Sequence, residues 1–174
     1  MNNYAVVNLS MISRLAILEN AERTGEAIDH LVAILRYRAD SDQSMSTIDN
    51  ELKIIDKMFA LHKMKKGPSF QGIVNNGLKD DRCYISKGIL VAIVDVAIGK
   101  GIDPDKENLE LIVSVTASGD NVHVKVKDNG MTDINELGET IEAKYQEVIE
   151  AYGSDLHLDV KPGVGTIVTV EVHH

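Results

Sequence analysis

The dipeptide Gly67-Pro68 divides the chain into two textures, and it limits the fold more than any other feature. Proline has no backbone N–H to carry a helix forward, and a glycine before it favours a helix end. Upstream, Ala5–Ala39 contains no proline and a single glycine, Gly25. Its apolar residues at 12, 15, 18 and then 28, 31, 32 and 35 have helical spacing, so the stretch is predicted as one long helix. The polar run Asp40–Ser44 breaks the pattern. Thr47 then offers an N-cap, with Asp49, Asn50 and Glu51 in the first turn and apolar positions 48, 52, 55, 58, 59 and 61 behind it. Two helices joined by so short a connection fold back as an antiparallel hairpin. Such a hairpin cannot bury all its apolar positions alone, and dimerisation into a four-helix bundle is the natural remedy.

Downstream of the break the period changes from helical to two. Ser69–Asn75 and Cys83–Ser86 read as extended pieces, and Lys87–Lys100, apolar nearly all round, as a buried helix. Leu109–Thr116 and Val122–Lys127 alternate apolar and polar about the turn Ser118–Asn121, a hairpin signal. Glu136–Tyr152 returns to helix. Leu156–Val160 and Thr166–Val172 form a second hairpin about Pro162–Gly165. The expected fold is therefore α+β: a dimerising helical hairpin over residues 1–66, then a two-layer α/β sandwich over 67–174, its mostly antiparallel sheet covered by helices on one face.

Composition excludes several functions. The 174 residues carry 18 basic and 27 acidic side chains, a net charge of −9, which argues against a dedicated nucleic-acid binder. The single cysteine, Cys83, has no disulfide partner and suits a reducing compartment. The most apolar run, Gly88–Ile98, is interrupted by Asp95 and is too short to span a bilayer. No basic leader precedes the first helix. A cytoplasmic protein is expected, with any membrane attachment supplied by parts absent from this chain.

Few stretches carry chemistry. Lys127-Asp-Asn-Gly130 closes a strand with a carboxylate and a glycine, able to hold an amine edge such as that of a purine, or simply to end the strand in an Asx turn. Gly163-Val-Gly-Thr166 can bring backbone amides to a ligand or merely turn a hairpin. Gly99-Lys-Gly101 ends the buried helix, and Lys100 there could meet a phosphate. His30, His62, His123 and His157 lack metal-ligand spacing, so no metal site is expected. Neither a nucleophile elbow nor a Walker loop occurs.

Taken in order, these pieces resemble the cytoplasmic kinase module of a sensor histidine kinase, of the kind with a short dimerising hairpin and a GHKL-type ATP-binding domain. Leu31–Tyr37 is similar to the family's L-x-x-L-L-R-Y, and Thr47–Leu52 to T-L-x-x-E-L. Ile85–Leu90 and Val94–Ile102 stand where the family has I-P-x-x-I-L and V-E-N-A-I-K-H-G-I. Asp128-Asn-Gly130 matches the adenine-binding D-x-G box. Tyr152-Gly153 and Gly163–Thr166 match Y-G and the closing G-x-G-T.

The resemblance implies two-component signalling by a homodimer, with a response regulator as partner and ATP as cofactor. It places Asp128, Gly130, Lys100, Gly101, Gly138, Gly165 and Thr166 at the nucleotide. The departures imply a degenerate module. Counted back from Arg36-Tyr37, Asn3 falls at the phosphoacceptor histidine and Val7 at the asparagine that follows it. The Mg²⁺-chelating asparagine falls on Val96, which has no oxygen to offer, and its acidic neighbour survives as Asp95. The family lysine and histidine become Gly99 and Lys100. In the lid aligned at Gly138, the second glycine is Thr140 and the asparagine Ala143. Adenine recognition is retained while phosphate and metal handling are lost, and phosphoryl transfer depends on that handling. Two alternatives stand beside an inactive scaffold. One is an active, nucleotide-binding kinase with atypical site residues. The other is an ATP-independent phosphotransferase using a helical histidine, His30 before His62.

Overall fold

A computed structural model describes residues 3–40, 44–78, 83–100, 108–118, 121–129, 147, 150, 156–161 and 165–173. The helical part contains three helices where two were expected: α1 (Asn3–Leu18), α2 (Glu22–Ala39) and α3 (Ile48–Lys66). The predicted long helix breaks at Asn20, whose φ is 60°. Asparagine tolerates this left-handed conformation better than most residues, so the chain reverses there without a glycine. Helix α1 then lies against α2. The two helices meet tightly at Gly25, where a Cβ would stand 2.9 Å from Ile17 Cγ1. Beside it, the buried Ser13 hydroxyl reaches the Gly25 carbonyl at 3.2 Å and Asp29 Oδ1 at 2.7 Å.

Helix α3 begins where its cap was expected. Thr47 Oγ1 accepts the Asn50 N–H at 3.2 Å. Asp49 and Glu51 occupy the first turn, and Lys63, Lys65 and Lys66 the last, in accord with the helix dipole. Gly67, with φ 67°, ends it before Pro68. The short strand β1 (Met45–Thr47) precedes α3 and pairs antiparallel with β3 (Tyr84–Ser86).

The main sheet runs β2 (Phe70–Asn76), β4 (Leu109–Ser118), β5 (Asn121–Asp128), β7 (Gly165–His173), β6 (Leu156–Lys161). All its pairings are antiparallel except β2 with β4, which is parallel. Alternation decides which side chains face the helices: Leu109, Leu111, Val113 and Val115 on β4, and Val122, Val124, Val126 and Asp128 on β5, are all buried. Helix α4 (Ile89–Lys100) covers this face with Leu90, Ile93, Val94 and Ala97. Helix α3 completes the layer and packs on β2. Gly72 is required there, because a Cβ at that position would fall 2.4 Å from Phe59 Cγ. Ile48, Leu52, Ile55, Met58 and Phe59 of α3 join the sheet and α4 in one contiguous core. The core therefore continues across the boundary drawn at residues 66 and 67. The helix expected over Glu136–Tyr152 lies almost wholly outside the described residues.

Candidate functional site

Helix α4 and the end of β5 position the residues of interest. Its buried face fixes the rotation of α4: Leu90, Ile93, Val94 and Ala97 point at the sheet, so Asp95 turns away from it and is exposed. There its Oδ2 meets Arg38 Nη2 of α2 at 2.6 Å. Both side chains are about half open to solvent (42% and 50%), so this pair adds little stability but orients the carboxylate toward α2. Val96, the next residue, is half-buried and offers only hydrocarbon.

Asp128 is the last residue of β5 and is 4% exposed. It shares the inward face with Val122, Val124 and Val126, on the side that α4 covers. Asn129 fastens the strand end. Its Oδ1 accepts the Glu110 N–H at 2.8 Å, its Nδ2 donates to the Asn108 carbonyl at 3.1 Å, and its own N–H donates to the Glu110 carbonyl at 3.2 Å. The dipeptide thus divides the two readings of Lys127–Gly130: Asn129 makes the structural turn, while Asp128 presents a buried carboxyl to the helical layer. Lys100 ends α4, and Gly165 and Thr166 open β7, with only their backbone described. Gly130, Gly101 and Gly138 lie outside the described residues, as do Thr140 and Ala143 of the aligned lid.

The helical histidines differ. His30 is partly buried on α2. His62 packs edge-on against Phe70, centroids 4.6 Å apart, with Nε2 buried and unpartnered. Burial, aided by Lys65 and Lys66, pushes its pKa down and keeps the ring neutral. Among the described residues no three His, Cys, Asp or Glu side chains group so as to hold a metal ion. No described helix is long and apolar enough to cross a membrane.

Two features escaped the sequence reading. Glu51 is wholly buried beneath the N-terminus of α4. Its place on the 48/52/55 face was the available signal, since an acid on an apolar stripe is a buried acid. The second is the outer face of α1, where Val7, Met11, Leu15 and Leu18, spaced by four, four and three residues, are 47–77% exposed. Ile12 and Ile17 flank that stripe and are also exposed. The continuous-helix reading hid it, because it merged α1 with α2.

Residues 6–70 match the family model described as histidine kinase. No curated protein matches the chain in sequence. Solved structures share its fold at low identity. The histidine kinase AdeS of Acinetobacter baumannii superposes with a TM-score of 0.51 at 14% identity, covering 97% of this chain and 94% of that one. The histidine kinase domain of the blue-light activated kinase EL346 of Erythrobacter litoralis gives 0.52 at 14%, covering 95% and 85%. A bacterial phosphotransferase gives 0.54 at 11%, covering 89% and 77%. Over residues 6–70 the chain is thus similar in sequence to the histidine kinases, and over nearly its whole length it has the fold of a sensor histidine kinase cytoplasmic module.

Proposed function

We propose that this chain is a dimeric, cytoplasmic two-component signalling module that keeps the histidine kinase fold without its phosphoryl chemistry, and that presents its helical part to a response regulator. The observation that carries the reading is the state of α4. A hydrocarbon side chain, Val96, stands where the resemblance requires a metal-binding oxygen, and the neighbouring Asp95 is engaged by Arg38. Mg²⁺ therefore does not fit this turn of the helix, and no transfer step is drawn through it. The apolar face of α1 supports the dimer. Monomeric proteins rarely expose contiguous apolar patches of this kind, and pairing α1 and α2 of two copies would cover it in a four-helix bundle.

A second reading, nucleotide binding, is supported by the buried Asp128 at the sheet end. A third, phosphotransfer through His30 without ATP, draws on the fold shared with the bacterial phosphotransferase. One set of measurements separates them. Light scattering of the eluting protein should report a dimer that Leu15→Glu converts to a monomer, and calorimetric titration with ATP should be silent with or without Mg²⁺. Binding that Asp128→Ala abolishes would establish the second reading. Phosphoryl uptake from a phosphorylated receiver domain, lost in His30→Ala, would establish the third. A monomeric wild-type chain would overturn the dimeric scaffold.

A further inference from the structure

The junction between the helices and the sheet is fastened by more than the covalent link through Gly67-Pro68. Glu51 of α3 is 0% exposed. Its Oε1 accepts the Gly88 N–H at 2.5 Å and the hydroxyl of Tyr37 from α2, and its Oε2 accepts the Val91 N–H at 3.2 Å. One carboxylate thus satisfies orphan amides at the start of α4 while tying α2 and α3 to it. Around this pin, Lys87 Nζ donates to Asp40 Oδ2 at 2.7 Å and stands 5.2 Å from the Tyr37 ring centroid. The Lys87 N–H reaches the Ser44 carbonyl at 3.0 Å, and the Ile48 N–H reaches the Cys83 carbonyl at 2.9 Å. Pairing of β1 with β3 adds another crossing, and the half-exposed Arg38–Asp95 pair marks where α4 runs beside α2. A hinge requires one flexible crossing. Here α2 and the connection after it grip both α3, which lies in the layer over β2, and the segment 83–95, over a shared apolar core.

We infer that the helical and α/β parts form one rigid body about a joint pinned by Glu51, so that displacement of the helices is delivered to α4 instead of being absorbed between domains. This inference needs neither nucleotide nor dimer, and it survives the failure of either reading above. It is tested by distances between spin labels at Glu26→Cys on α2 and Lys125→Cys on β5, both exposed, in a Cys83→Ala background diluted with unlabelled chain. The wild-type joint should give one narrow distance peak. Glu51→Ala should lose that peak while far-ultraviolet circular dichroism stays that of a folded chain. A broad or multiple wild-type distribution would overturn the rigid joint. A folded Glu51→Ala protein with the narrow peak intact would remove Glu51 as its pin. If Glu51→Ala does not fold, Glu51→Gln and Tyr37→Phe take its place: broadening in either supports the pin, and an unchanged peak in both rejects it.

Discussion

Glu51→Gln separates the carboxylate's chemistry from its shape. Both carboxylate oxygens accept hydrogen bonds from backbone amides at the start of α4, from Gly88 just before it at Oε1 and from Val91 within it at Oε2. Glutamine supplies one oxygen and one amide nitrogen, so in either orientation a donor faces a donor. The Tyr37 hydroxyl can rotate to accept, but a backbone N–H cannot. One buried amide is left unpaired, at a cost of about 1–3 kcal/mol. Where Glu51 is ionised, losing the anion at the helix N-terminus adds up to about 2 kcal/mol at a buried site. Against this, burial penalises the charge itself and pushes the Glu51 pKa up, a penalty that glutamine escapes. The net expectation is a loss of about 1–3 kcal/mol.

The pH dependence has a definite sign. A raised folded pKa means that the native state holds its proton where the unfolded chain has released it. The wild-type advantage over the variant is therefore greatest on the acid side, near the unfolded value of 4.5, and shrinks as pH rises through the folded value. Urea unfolding of both proteins, followed by circular dichroism at pH values from the unfolded value of 4.5 upward into the alkaline range, reads this directly, because groups common to both cancel. A difference within about 0.5 kcal/mol at every pH would refute the buried clamp. So would a gap that widens toward alkaline pH.

Two other perturbations address the core. Gly72→Ala drives a methyl group into the Phe59 ring, and overpacking should cost about 1–3 kcal/mol in the same urea assay; an unchanged midpoint would mean that α3 does not pack this closely on β2. His62, its pKa lowered by burial, contributes stability that is present above the unfolded value of 6.5 and is lost as pH falls through the folded value. His62→Leu should flatten that acid limb, and a wild-type acid slope retained in the variant would assign the loss to other groups.

The strands of the main sheet, α4 and the cap of α3 were legible because each rests on local chemistry: period-two alternation for β4 and β5, all-round hydrophobicity for α4, and the hydroxyl of Thr47 for α3; the short strand β1 was not read. The inward direction of Asp128 follows from the same alternation, two residues beyond Val126. The residues of the nucleotide half, by contrast, were named by resemblance, and spacing alone could not have assigned them. Nor was the break at Asn20 legible, since its left-handed turn is stabilised by α1 folding back onto α2 at Gly25, a tertiary event. The same holds for Arg38–Asp95, which joins residues 57 apart in the chain, and for the parallel pairing of β2 with β4. Periodicity by itself determined the strands of the main sheet, α4 and the faces they bury, because those depend on neighbours within a turn or two. Only the tertiary structure decided which helix keeps an exposed apolar face, where the Glu51 charge is buried and what Asp95 touches, because each depends on groups brought together from distant parts of the chain.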